Sequence, residues 1–97
     1  MVPASSDAST DGPAALARLR NLGPASARML AKAGIFSVQA LHDMGAVAAF
    51  RRVRHAEPAA SLNLLWALEG ALTDRPWQAV ARHERLRLLL ALDDNID

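Results

Sequence analysis

Leu19-Arg20-Asn21-Leu22-Gly23-Pro24-Ala25-Ser26-Ala27-Arg28 sets the reading of the whole chain. Asn21 and Gly23 are residue types that accept tight or left-handed turns. Pro24 lacks the N–H that a helix interior needs and a first helical position does not. The stretch therefore predicts one helix ending near Arg20 and another opening at Pro24. Backward along the chain, Asp11 or Gly12 caps the first helix, which starts at Pro13 and turns Leu16 and Leu19 inward. Forward, the second helix carries an apolar stripe of Ala27, Leu30 and Ala31 and closes near Ala33. Gly34 is its left-handed terminator, and Ile35 and Phe36 add bulk beyond it.

The same punctuation continues. Ser37 caps a short helix over Val38–Met44, which Gly45 ends, and a further helix from Ala46 to His55 turns Val47, Phe50 and Val53 inward and Arg51, Arg54 and His55 outward. After Glu57-Pro58, a helix from about Ser61 to Leu72 has leucines on more than one face, which predicts a central element covered on several sides. Thr73-Asp74-Arg75-Pro76 reads as a turn, Trp77 starts a short segment, and Arg82 to Leu92 reads as the last amphipathic helix. Hydrophobic residues make up 52% of the 97, with Ala and Leu prominent and strand-favouring types sparse. The expectation is an all-α single domain of five to six short helices over 14–92. A disordered tail over 1–13, rich in Ser, Ala, Thr and Asp, precedes it, and an acidic tail over 93–97 follows.

Several classes of chemistry are set aside by composition. There is no cysteine, so neither disulfides nor thiolate chemistry arise, and the three histidines would need carboxylate help to hold a metal. Ser26 and Ser61 lack a recognisable nucleophile motif, and Glu69 is a lone acid expected to pair with an Arg or reach solvent. No metal, cofactor or enzymatic activity is expected. The first twelve residues have neither the basic cluster nor the apolar run of a leader or anchor. The longest apolar run, Leu88 to Leu92, falls far short of the ~20 residues of a membrane span, so a cytoplasmic protein without membrane contact is expected.

Charge is distributed unevenly. All eleven basic residues lie between Arg18 and Arg87 against five acidic ones, and the surplus of six lies wholly within Ala14–Ala56, where Asp43 is the one acid. The opening stretch belongs to this half, and its pattern is that of a helix-hairpin-helix, with Asn21 where the first Gly usually stands. In that motif the free N–H groups at the start of the second helix, aided by the helix dipole, make an anion site for a sugar-phosphate backbone. The candidate DNA contacts are Asn21, Gly23, Ala25, Ser26, Arg28 and Lys32. Arg28 and Lys32, four apart on one face, repel each other unless an anion lies between them. A secondary basic patch comprises Arg51, Arg52 and Arg54, with His55 beside it. Gly-Pro turns also serve merely to join helices, and basic faces are often simply solvated. No helix combines the Arg, Asn and Gln of a base reader, so any DNA contact should be sequence-tolerant and salt-sensitive. Trp66 belongs in the core, and Trp77, beside Pro76, should be half exposed.

The chain also resembles the C-terminal domain of TfoX/Sxy-type regulators of DNA transformation competence. The likeness rests on Leu19 to Pro24, Ala33-Gly34-Ile35, Leu41 through Met44-Gly45-Ala46, and above all Ser61-Leu62-Asn63-Leu64-Leu65-Trp66-Ala67-Leu68-Glu69-Gly70-Ala71-Leu72. The turn is similar, too, to that of the C-terminal domain of the RNA polymerase alpha subunit. The resemblance implies about five helices, a role in bacterial transcriptional regulation and no catalytic residue. Two partners remain open: DNA, held through its backbone, or a regulatory protein for which the domain serves as an adapter. Homodimerisation is open as well, since a second copy would cover apolar surface.

Overall fold

The structure, a computed structural model, describes residues 12–94. Of the expected tail over 1–13, residues 1–11 lie outside the described residues, as do residues 95–97 of the acidic tail over 93–97. Six helices and no strand occur among the described residues: α1 (Pro13–Ala17), α2 (Pro24–Lys32), α3 (Val38–Ala56), α4 (Leu62–Thr73), α5 (Trp77–His83) and α6 (Arg85–Asp94). The all-α expectation holds. None of these helices is long and apolar enough to cross a membrane.

α4 is the centre. Leu64 through Leu68 are buried in an unbroken run that includes Trp66, so this helix is covered on several faces, as its all-round hydrophobicity requires. Around it pack Leu16 of α1, Leu30 of α2, Ile35, Leu41, Phe50 and Val53 of α3, Val80 of α5 and Leu88 of α6. α3 and α5 flank α4, α1 and α2 pack as a pair, and α6 closes against α3 and α5.

The helix ends follow local chemistry. α2 stops in a Schellman motif: Gly34 is left-handed at φ +85°, its N–H donates to the Ala31 carbonyl at 2.9 Å, and the Ile35 N–H donates to the Leu30 carbonyl at 2.8 Å. This drives Ile35 into the core. The Ser37 hydroxyl accepts from the Ala40 N–H at 3.0 Å and caps α3. At Gly45 the backbone leaves the helix, with φ 83° and ψ 167°, so Val38–Met44 and Ala46–Ala56 are two helical limbs of one bent element.

Three boundaries differ from expectation. α1 ends at Ala17 rather than near Arg20, because the chain tightens there into short bonds, Arg18 N–H to Ala15 O and Leu19 N–H to Leu16 O. The expected last helix over Arg82–Leu92 is divided: Arg82 belongs to α5, and Glu84 breaks the helix before α6. No Gly or Pro marks this break. α6 then runs through Asp93 to Asp94, so the acidic tail begins as helix, since nothing after Leu92 stops it.

Candidate nucleic-acid interface

The α1–α2 turn is held from within. Asn21 takes the left-handed conformation at φ 71°, as its type allows. Its side chain faces the protein: Nδ2 donates to the Arg75 carbonyl at 2.7 Å, and Oδ1 accepts the Trp77 N–H at 3.1 Å. The turn before α2 is thus tied to the turn before α5. Gly70 lies beneath the tie, where a Cβ would collide with Asn21 Nδ2 and the Arg75 carbonyl. Asp74, left-handed at φ 56°, and the bond from Arg75 N–H to Gly70 O at 2.9 Å shape the other half of the contact.

Past Asn21, Gly23 is extended, Pro24 occupies the first turn of α2, and the Ala27 N–H bonds the Gly23 carbonyl at 2.9 Å. The N–H groups of Ala25 and Ser26 precede that first bond, the position at which helix N–H groups lack internal partners. Pro24 and Ala25 are exposed. Ser26 is half-buried at the edge of a shallow hollow shared with Asn21, Ser61 and Trp77.

Arg28 is exposed, and among the described residues no carboxylate pairs with it. Lys32 differs: its Nζ lies 3.8 Å from Glu57 Oε1. The anion argued from the spacing of Arg28 and Lys32 is therefore supplied at Lys32 by the chain itself, through a contact too exposed to contribute much stability. Glu57 is distant in sequence, and nothing in the spacing marks it as a partner.

The secondary basic patch divides along α3. Arg51, Arg52 and His55 join Lys32 around a groove of about 630 Å³ between the end of α2 and the second limb of α3, floored by Ala33, Met44 and Ala48. Arg52 Nη1 points at the Ala33 carbonyl from 3.5 Å. Arg54 faces the other side of α3, its guanidinium 5.4 Å from the centre of the Phe50 ring. His55, four residues after Arg51 and hence on the same face, belongs to the groove more fully than Arg54 does.

Away from α2 and α3, most basic side chains are engaged. Arg20 lies 3.5 Å from an Asp74 carboxylate oxygen. Glu84 receives Arg87 at 2.7 Å and Arg75 at 3.2 Å, and these guanidinium groups hold its carboxyl below its ordinary pKa. Arg87 also meets Glu69 at 2.9 Å, the pairing expected for that lone acid. Arg85 covers the Trp66 ring at 5.8 Å. Trp66 is in the core, and Trp77 is 37% exposed.

No curated protein matches the chain. Two crystal structures of proteins from Listeria monocytogenes share its fold. One, an uncharacterised protein in a triclinic form, is 32% identical with a TM-score of 0.70, over 75% of this chain and 83% of that one. The other, a protein of unknown function in a tetragonal form, is 28% identical with a TM-score of 0.72, over 84% of this chain and all of that one. The family model described as TfoX C-terminal domain matches residues 12–92. That match spans every helix from α1 into α6, and the chain belongs to the TfoX C-terminal domain family.

Proposed function

We propose that this domain binds the backbone of duplex DNA without sequence preference, in a regulatory setting related to competence, and acts by binding rather than catalysis. The observation that carries the reading is the shared groove of Lys32, Arg51 and Arg52. It extends the positive surface of α2 from the turn at Gly23 to Ser26, past Arg28, onto α3. α2 is roughly 13 Å long at 1.5 Å per residue, enough to follow several phosphates of one strand. Gly23, Ala25 and Ser26 contribute backbone N–H groups at one end, and the basic side chains flank the rest. Asn21 contributes by holding the turn, since its side-chain amide is committed to Arg75 and Trp77.

Four neutralised phosphates correspond to a slope of about −3.6 for log affinity against log salt. Gel shifts with unrelated duplexes over a salt series should show that steepness with little difference between sequences. Arg28→Glu combined with Lys32→Glu should abolish the shift. Absence of any shift at low salt and micromolar protein would rule the reading out.

A second reading, an adapter between regulatory proteins, has its own support. Leu86 and Leu90 stand 71% and 56% exposed on α6, where a surface helix ordinarily carries polar groups.

A further inference from the structure

α6 is apolar on two sides. Leu88 is 1% exposed and enters the core, while Leu86 and Leu90, one turn apart, face outward. Between α6 and the second limb of α3 runs an open groove of about 640 Å³. Leu89, Leu90 and Leu92 line its α6 wall, and Arg51, Arg54 and His55 line its α3 wall. Among the described residues neither Arg51 nor Arg54 has a carboxylate partner, and Asp93 is the one acid on the rim.

We propose that this groove docks an acidic amphipathic helix from a partner protein, its apolar face on the α6 leucines and its carboxylates on Arg51 and Arg54. The pairing of walls selects the occupant. A phosphate backbone could satisfy the arginines, but it offers nothing to a row of leucines; an apolar helix could cover the leucines, but it would bury two guanidinium groups without a counter-charge, which is costly. A helix bearing both kinds of residue answers both walls. The groove lies between two helices, the usual seat for a helix that anchors through residues at i, i+3, i+4 and i+7. α6 is roughly 15 Å long, so the matching partner segment is about three turns. Leu90 is the central anchor, being exposed and on the wall facing the arginines, and Leu86 prolongs the apolar track along α6.

This groove shares Arg51 and His55 with the one that carries the DNA reading and differs from it in Arg54 and the α6 leucines. Substitutions at Leu90 or Arg54 on one side, and at Arg28 and Lys32 on the other, therefore let each reading fail without the other.

The test uses the isotope-labelled full chain and a synthetic capped peptide of about four helical turns, with Leu at i, i+3, i+4 and i+7 and Glu on its flanks. One control scrambles the same composition so that the leucines share no face, and a second replaces Glu by Lys. Saturable binding of the first peptide, with amide shifts concentrated at Arg51–His55 and Leu89–Asp93, is expected. Leu90→Glu and Arg54→Glu, both exposed positions that leave the core intact, should each weaken it about tenfold or more. Arg28→Glu with Lys32→Glu should leave it unchanged. Equal binding of the scrambled or lysine peptide overturns the proposal. So does displacement of the peptide by duplex DNA with shifts at Leu89–Asp93 on the α6 wall, which would make the whole groove part of a nucleic-acid surface. A dimer in sedimentation that Leu90→Glu dissociates also overturns it, because a second copy would then be the occupant.

Discussion

At Asn21 backbone and side chain make separate demands. The backbone must be left-handed, which glycine satisfies better than asparagine; the side chain must reach a carbonyl and an N–H that belong to another turn. Asn21→Gly separates the two, because it removes the steric cost of positive φ and deletes both bonds. We expect a net loss of about 1–3 kcal/mol in urea unfolding, as the Arg75 carbonyl and Trp77 N–H lose their partner. A neutral result would mean that asparagine serves only the turn conformation. The left-handed turn was legible in the sequence because Asn-Leu-Gly-Pro is a local signal. The tie was not, since its partners are turn atoms brought near by the packing of α5 on α4. Lys32 and Glu57 repeat the lesson: a cation whose spacing suggested an external anion already has one from the chain.

At the level of elements, what glycine, proline and capping residues announced was found where they stood. Gly34, Ser37 and Gly45 each act within a few residues of themselves. Gly45 has the sharpest requirement, because φ 83° with ψ 167° is a region essentially closed to side-chain-bearing residues. Gly45→Ala should cost about 1–3 kcal/mol, read from the shift in thermal or urea midpoint, although alanine is the better helix former. A stabilised variant would show that α3 can straighten. The break at Glu84 had no such signal. Every residue from Trp77 to Leu92 suits a helix, and the chain bends there while Val80 and Leu88, on either side, both enter the core. The basic patch illustrates the same limit in reverse. Its residues were visible as a cluster, but the division that sends Arg52 toward α2 and Arg54 toward α6 depends on what packs against each side of α3.

Across the whole molecule, Glu84 gathers the parts laid down last. Through Arg75 it holds the α4–α5 turn, and through Arg87, which also binds Glu69, it joins the start of α6 to α4. Both arginines lower its pKa in the folded state. A carboxyl held below its ordinary value stabilises the fold fully above the ordinary carboxylate range, and that contribution disappears as pH falls through the lowered value. Glu84→Gln should therefore lower the urea midpoint at neutral pH and converge on the parent protein in acid. A difference that persists unchanged into acid would mean the charge is not the source. The surplus positive charge stays on the opposite half, where fewer acids answer it.

Trp77 gives the molecule an optical property of its own. It is one of only two tryptophans, its ring is partly open to water beside Ser26, and its amide is fastened to the turn that leads into α2. The other indole, Trp66, is sealed in the interior. Emission from the chain is thus the sum of a shielded emitter and a wet one, and the wet one sits against the α1–α2 turn. A Trp66→Phe protein would carry a single native fluorophore there, so that an arriving anion or a loosening turn could be followed by colour alone, without any attached dye.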